Sequence, residues 1–66
     1  MEYMYYTNKV GDSCRVYNYT QTEYDTCDYD YSVEVNNKYD LRFKSIIELD
    51  TFLRDNGFSF MGFDND

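Results

Sequence analysis

From Tyr24 to Val35 the chain reads YDTCDYDYSVEV, with four carboxylates, three tyrosines and no Lys or Arg. Glu23 precedes this run, and no base occurs between Arg15 and Lys38. Side chains of these types can do three things. They can offer oxygens to a hard cation, pair with Lys or Arg on a partner, or form the wet side of a strand. The cation reading is weak. Asp25, Asp28 and Asp30 lack the Gly and the closing Glu of the D-x-[DN]-x-[DN]-G loop. On an extended strand Asp28 and Asp30 also project in parallel, about 6.6 Å apart, rather than converging. No metal or other cofactor is expected.

Covalent chemistry is equally poorly supported. The chain has no His to act as a base near neutral pH and no Gly-rich phosphate loop. Its two thiols, Cys14 and Cys27, have no imidazole to activate them. Both fall on apolar strand faces, where a cysteine acts as a small buried hydrophobe. Spacing alone leaves a Cys14–Cys27 disulfide open. A non-enzymatic protein is expected.

At 66 residues the chain forms one domain, 1–66, with a thin core. It compensates with nine Tyr and five Phe, and its 21% aromatic content is too high for a disordered acidic tail. Thirteen acids against six bases give a net charge of −7. That balance disfavours nucleic acid and anionic membranes and favours a basic protein partner. No apolar run approaches the roughly 20 residues of a membrane span, and MEYMYYTNKV does not resemble a signal peptide. The expected location is the cytoplasm, with reduced thiols. The Asn18-Tyr19-Thr20 glycosylation triplet means little without a secretory signal.

The elements that must position these residues are legible from periodicity. SIIELDTFLRDNGF predicts a helix over about 46–56. Ser45 and Glu48 have capping-box spacing, Ile46, Leu49, Phe52 and Leu53 form one stripe, and Gly57 ends it. Phe58 is placed to fold back on the last turn. Cys27, Tyr29, Tyr31, Val33 and Val35 alternate with polar residues, as do Tyr39, Leu41 and Phe43. The two runs form a hairpin. A two-residue loop would mix polar and apolar residues on one face. A three-residue loop opposes Val35 with Tyr39, Val33 with Leu41 and Tyr31 with Phe43, and keeps the faces separate. Asn37 could supply a positive φ there, with Lys38 less suited to the last position. EYMYYTNK and SCRVYNY read as two more strands around a Gly11-Asp12 turn, with less clean faces. TQTEYD reads as a loop, FSFMGF as a short edge strand, and residues 64–66 as a free acidic tail. The fold class is α+β: a small antiparallel sheet of four to five strands with one short helix on one face.

This register also sorts the charges. Asp30 would face Lys44, Ser32 would face Arg42, and Glu34 would face Asp40 diagonally to Arg42. The second half of the acidic run is thus partly compensated. Its front, Glu23, Tyr24, Asp25 and Asp28, is not, and neither are Asp64 and Asp66. One strand carries carboxylates about every 6.6 Å, against a phosphate about every 3.4 Å along one strand of DNA. Imitating a duplex would therefore need a second acidic row.

These features lead to the expectation of a small acidic protein that blocks a basic, nucleic-acid-binding host protein. Glu23, Asp25, Asp28 and Asp30 would pair with its Lys or Arg, while Tyr24 and Tyr29 or Tyr31 add packing. In composition the chain is similar to many small phage-encoded inhibitors, including some anti-CRISPR proteins and other DNA mimics. The similarity implies a host-cell cytoplasmic setting, and the charge implies no direct nucleic-acid binding. The alternative expectation is a homodimeric assembly module, joined through exposed tyrosines of the first two strands or through the FSFMGF edge.

Overall fold

The computed structural model describes residues 2–19 and 30–65. Its elements are β1 (Glu2–Thr7), β2 (Ser13–Asn18), β3 (Tyr31–Val35), β4 (Tyr39–Phe43), α1 (Ile46–Asp55) and β5 (Ser59–Asn65). The strands form one five-stranded antiparallel sheet in the order β4-β3-β2-β1-β5. The chain thus has the α+β architecture that its periodicity predicts. After β4 it leaves one edge of the sheet, runs through α1, and returns as β5 at the opposite edge.

The β3–β4 hairpin has the three-residue-loop register, with Val35 opposite Tyr39, Val33 opposite Leu41 and Tyr31 opposite Phe43. Its backbone solution is more specific than the sequence implies. Both Asn36 (φ 54°) and Asn37 (φ 61°) are left-handed, and the Lys38 N–H donates to the Val35 carbonyl at 3.0 Å. The strained positions therefore fall on the two residues that best tolerate them, and Lys38 is relieved of the role. Residues 27–29 and the expected loop at 20–25 lie outside the described residues.

α1 is held at both ends by its sequence signals. Ser45 Oγ accepts the Glu48 N–H at 3.2 Å. The reciprocal bond is displaced by one residue, since Glu48 Oε2 accepts from the Lys44 N–H, at 3.3 Å, rather than from Ser45. At the other end Gly57 is left-handed (φ 69°). The Gly57 N–H donates to the Arg54 carbonyl at 3.1 Å and the Phe58 N–H to the Leu53 carbonyl at 2.9 Å. This pair of bonds is the Schellman motif. Phe58 folds back as expected, its ring centroid 6.1 Å from that of Phe52.

The core lies one strand away from where the hairpin pattern centres it. Leu49 and Leu53 of α1 pack with Cys14 and Val16 of β2 and Val33 of β3. Tyr31, Val35 and Phe43 are only partly buried around this cluster, Leu41 is exposed, and Ile46, expected in the helical stripe, is half exposed. One ten-residue helix cannot cover five strands, so it seals the middle of the sheet, reaches β4 through Phe52 on Phe43 (centroids 5.3 Å apart), and leaves the β5 side open. Tyr3, Tyr17 and Ser32 are also buried, although they sit on the face away from the helix. Tyr3 and Tyr17 are cross-strand neighbours with centroids 5.5 Å apart, and the Arg15 guanidinium lies 5.0 Å from the Tyr3 ring centroid. Both faces of the sheet thus bury aromatic surface, where the strand pattern implies a single buried face. β5 also extends further than the predicted edge strand. Asp64 pairs with Tyr3 and Asn65 with Glu2, so these two residues belong to the sheet rather than to a free tail.

The three turns at one end of the sheet are tied by amide side chains. Asn8 Oδ1 accepts the Asp12 N–H at 2.8 Å, while Asn8 Nδ2 donates to the Asn56 carbonyl at 3.0 Å. Asn36 Oδ1 accepts the Ser13 N–H at 2.9 Å, and Asn36 Nδ2 donates to Asp12 Oδ1 at 3.0 Å. The β1–β2 turn, the β3–β4 turn and the end of α1 are joined through these four bonds.

Candidate protein-binding surface

Of the residues expected to bind a partner, Glu23, Tyr24, Asp25, Asp28 and Tyr29 lie outside the described residues. Asp30 is described, at the entry to β3. Its backbone is fixed from both sides. Its carbonyl accepts the Tyr19 N–H at 2.7 Å, and its N–H donates to the Phe43 carbonyl at 3.1 Å. Its side chain is exposed. Asp30 is thus a solvent-facing carboxylate on a backbone clamped between β2 and β4, and the chain on either side of residues 20–29 is anchored to the sheet.

Further along β3 the charges cancel, and more fully than the hairpin alone predicts. Register places Arg15 opposite Glu34 and Glu34 opposite Asp40 on the helix-free face. Arg42 pairs with Asp40 at 3.5 Å, and Ser32 donates its hydroxyl proton to Asp40 at 3.0 Å. Two acids and two bases share this patch. It is a compensated sheet face and not a row of free carboxylates. The Arg15 contribution could not be read from the hairpin, because it depends on β2 pairing with β3.

The two edges of the sheet differ in kind. β4 carries Asp40 and Arg42 exposed on its strand, with exposed Lys38 and Lys44 at its ends. These charges are a common way to keep an edge from pairing. β5 instead exposes Phe60 (50%), Met61 (61%) and Phe63 (65%). Phe60 stacks edge-on against Tyr6, with centroids 5.5 Å apart, and against Phe63, 5.3 Å apart. The only charges on β1 and β5 are Glu2 and Asp64. A shallow depression of about 280 Å³ beside this edge is lined by Glu2, Tyr3, Met4, Val16, Asn18 and Phe63. A second, of about 240 Å³, lies between the end of α1 and the sheet, lined by Val35, Leu41, Phe52 and Phe58 with Asp12 and Asn56. The apolar run FSFMGF already marks β5 as an edge strand. Its acidic companions become visible only when β1 is placed beside it.

Cys14 is a free, buried thiol, and burial pushes its pKa up to about 12. A thiol held neutral in this way is no nucleophile. Tyr6 is raised as well, by burial first and then by electrostatic coupling to Cys14 and Asp50. Among the described residues no three His, Cys, Asp or Glu side chains are grouped closely enough to hold a metal ion, and no helix is long and apolar enough to cross a membrane. Comparison with protein-family models, with curated proteins and with solved structures finds no match for this chain.

Proposed function

We propose that this protein is a small acidic inhibitor that occupies a basic surface of a nucleic-acid-binding protein. The observation that carries this reading is the net charge of −7 on 66 residues, combined with the clustering of acids and tyrosines ahead of β3. The charge geometry supports it. Three of the six bases, Lys38, Arg42 and Lys44, lie on or beside β4 at one edge of the sheet. β1 and β5, at the opposite edge, carry no base. Asp30, with Glu23, Asp25 and Asp28, supplies the carboxylates, and Tyr24 and Tyr29 supply packing. Charge pairing of this kind chiefly accelerates association and selects partners.

The test is binding at two ionic strengths. Basic proteins retained by the immobilised chain at low salt should elute as salt rises, and purified nucleic acid should compete for them. The Asp25→Lys, Asp28→Lys double variant should slow association with a retained partner by about tenfold or more. Affinity that is unchanged between low and high salt removes the reading. The homodimer alternative is favoured by the exposed apolar residues of β5 and opposed by the −7 charge that each copy brings. Sedimentation equilibrium of the purified chain separates the two.

A further inference from the structure

The free edge of β5 shares with the β4 edge a row of outward backbone groups and differs from it in two respects. β5 has a sheet neighbour on one side only, so the outward half of its backbone donors and acceptors has no partner strand among the described residues. Its apolar side chains are exposed, with Phe60 and Phe63 lying on the helix side of the sheet beside Tyr6 and Met4. The charges carried by β1 and β5 themselves are of one sign. Glu2, cross-strand from Asn65, belongs to the helix-side face, and Asp64, cross-strand from Tyr3, to the opposite face. No base occurs in β1 or β5. The β4 edge is instead protected by alternating charge.

We infer that the β5 edge is a docking site for an extended segment of a partner protein in which basic and apolar residues alternate, added to the sheet as a sixth strand. An added strand satisfies the outward backbone groups of β5 and sets side chains against both faces of the ribbon. An apolar residue beside Phe63 shields that ring. The alternate residues then fall on the other face, where a Lys or Arg reaches Asp64. The sign of the charge decides between occupants. A second copy would bring its own Asp64 to the same edge, whereas a basic segment neutralises that carboxylate. The bulge between the Tyr5 and Tyr6 pairings leaves Met61 without a cross-strand partner on β1 and bends the strand there. The docking run is therefore centred on Gly62–Asn65. This inference rests on the basic-partner reading above and adds a second surface to it, distinct from the acids ahead of β3.

The probe is a capped octapeptide of alternating lysine and valine, titrated into the isotopically labelled full chain and followed by amide shifts and hydrogen exchange. The expected result is saturable binding, with new protection confined to Ser59–Asn65 and none at Tyr39–Phe43. Phe63→Asp, a change at a largely exposed position, should weaken binding by about tenfold or more. A peptide of the same charge with alternate backbone nitrogens methylated should bind no more tightly than a disordered polycation, because it cannot complete the ladder. The inference is overturned by protection at β4, by equal binding of the methylated peptide, or by the absence of saturable binding. It is also overturned if the native chain sediments as a dimer that Phe63→Asp converts to monomer, since the edge is then occupied by a second copy. The two proposals fail separately. If salt-sensitive capture of basic proteins is lost in Asp25→Lys, Asp28→Lys while the native chain shows no saturable peptide binding, the basic-partner reading stands and the β5 inference falls.

Discussion

Cys14 sits in the centre of the core, and its chemistry is set by what surrounds it. In the unfolded chain its thiol loses a proton above about pH 8.5, whereas in the folded protein it stays protonated up to about 12. The folded pKa is the higher one. The stability this group contributes is therefore complete below pH 8.5 and is lost as pH rises toward 12. The slope is about 1.4 kcal/mol per pH unit within that window. Tyr6, raised in the same direction, adds to the loss above about pH 10. Urea unfolding between pH 7 and 10.5 should show this decline, with a shallower slope in Cys14→Ala. In a Cys27→Ser background, Cys14 should react with a thiol reagent only as fast as the protein unfolds. Leu49 is the other central residue, fully buried against β2 and β3. A domain of this length has roughly 3–10 kcal/mol of stability in total. Leu49→Ala, at about 2–5 kcal/mol, should take a large share of that, while Ile46→Ser on the exposed side of the same helix should change the urea midpoint little.

At the scale of the element, the β3–β4 turn offers a paired test of what its two asparagines do. Both are left-handed, so glycine is conformationally welcome at either. Only Asn36, however, uses its side chain to hold Ser13 and Asp12. Asn37→Gly should leave stability unchanged or raise it by a few tenths of a kcal/mol, whereas Asn36→Gly should lower it by about 1 kcal/mol. Chemical denaturation of the two variants in parallel reads the difference. If Asn36→Gly proves as stable as Asn37→Gly, the amide ties between turns contribute nothing. Gly57 belongs to the same class of position. Nothing lies within 4 Å of where a Cβ would sit, so Gly57→Ala should lose about 1 kcal/mol through its positive φ alone.

At the scale of the whole molecule, the acidic excess acts on the fold as well as on partners. The protein measures 36 × 24 × 20 Å, comparable with the screening length of about 30 Å at 10 mM salt. At that salt every carboxylate acts on the others, and at 0.15 M the length falls to about 8 Å. Raising NaCl from 10 mM to 0.5 M should therefore raise the melting temperature by relieving self-repulsion, while partner binding weakens over the same range. The opposite signs distinguish the two effects in a single salt series. A melting temperature that falls with salt would mean that attractive pairs such as Arg42–Asp40 outweigh the net repulsion.

The sequence by itself determined the local elements. Period-2 alternation with a three-residue loop gave the β3–β4 register, and Ser45, the Leu49–Phe52–Leu53 stripe and Gly57 gave the helix and both its ends. These are interactions between residues near in the chain, where residue type and spacing suffice. Tertiary structure alone decided the position of the core, the pairing of Arg15 with the acidic hairpin face and the contrast between the two edges. β2 reads poorly as a strand with one buried face because it buries both, Cys14 and Val16 toward the helix and Tyr17 away from it. Residues Glu2 and Asp64 are far apart in sequence and become neighbours only because β5 returns past the whole sheet to pair with β1. YDTCDYDYSVEV is divided in the same way. Its hairpin half was legible in the alternation, and the further compensation of Glu34 by Arg15 was decided by a strand that the pattern did not bring near.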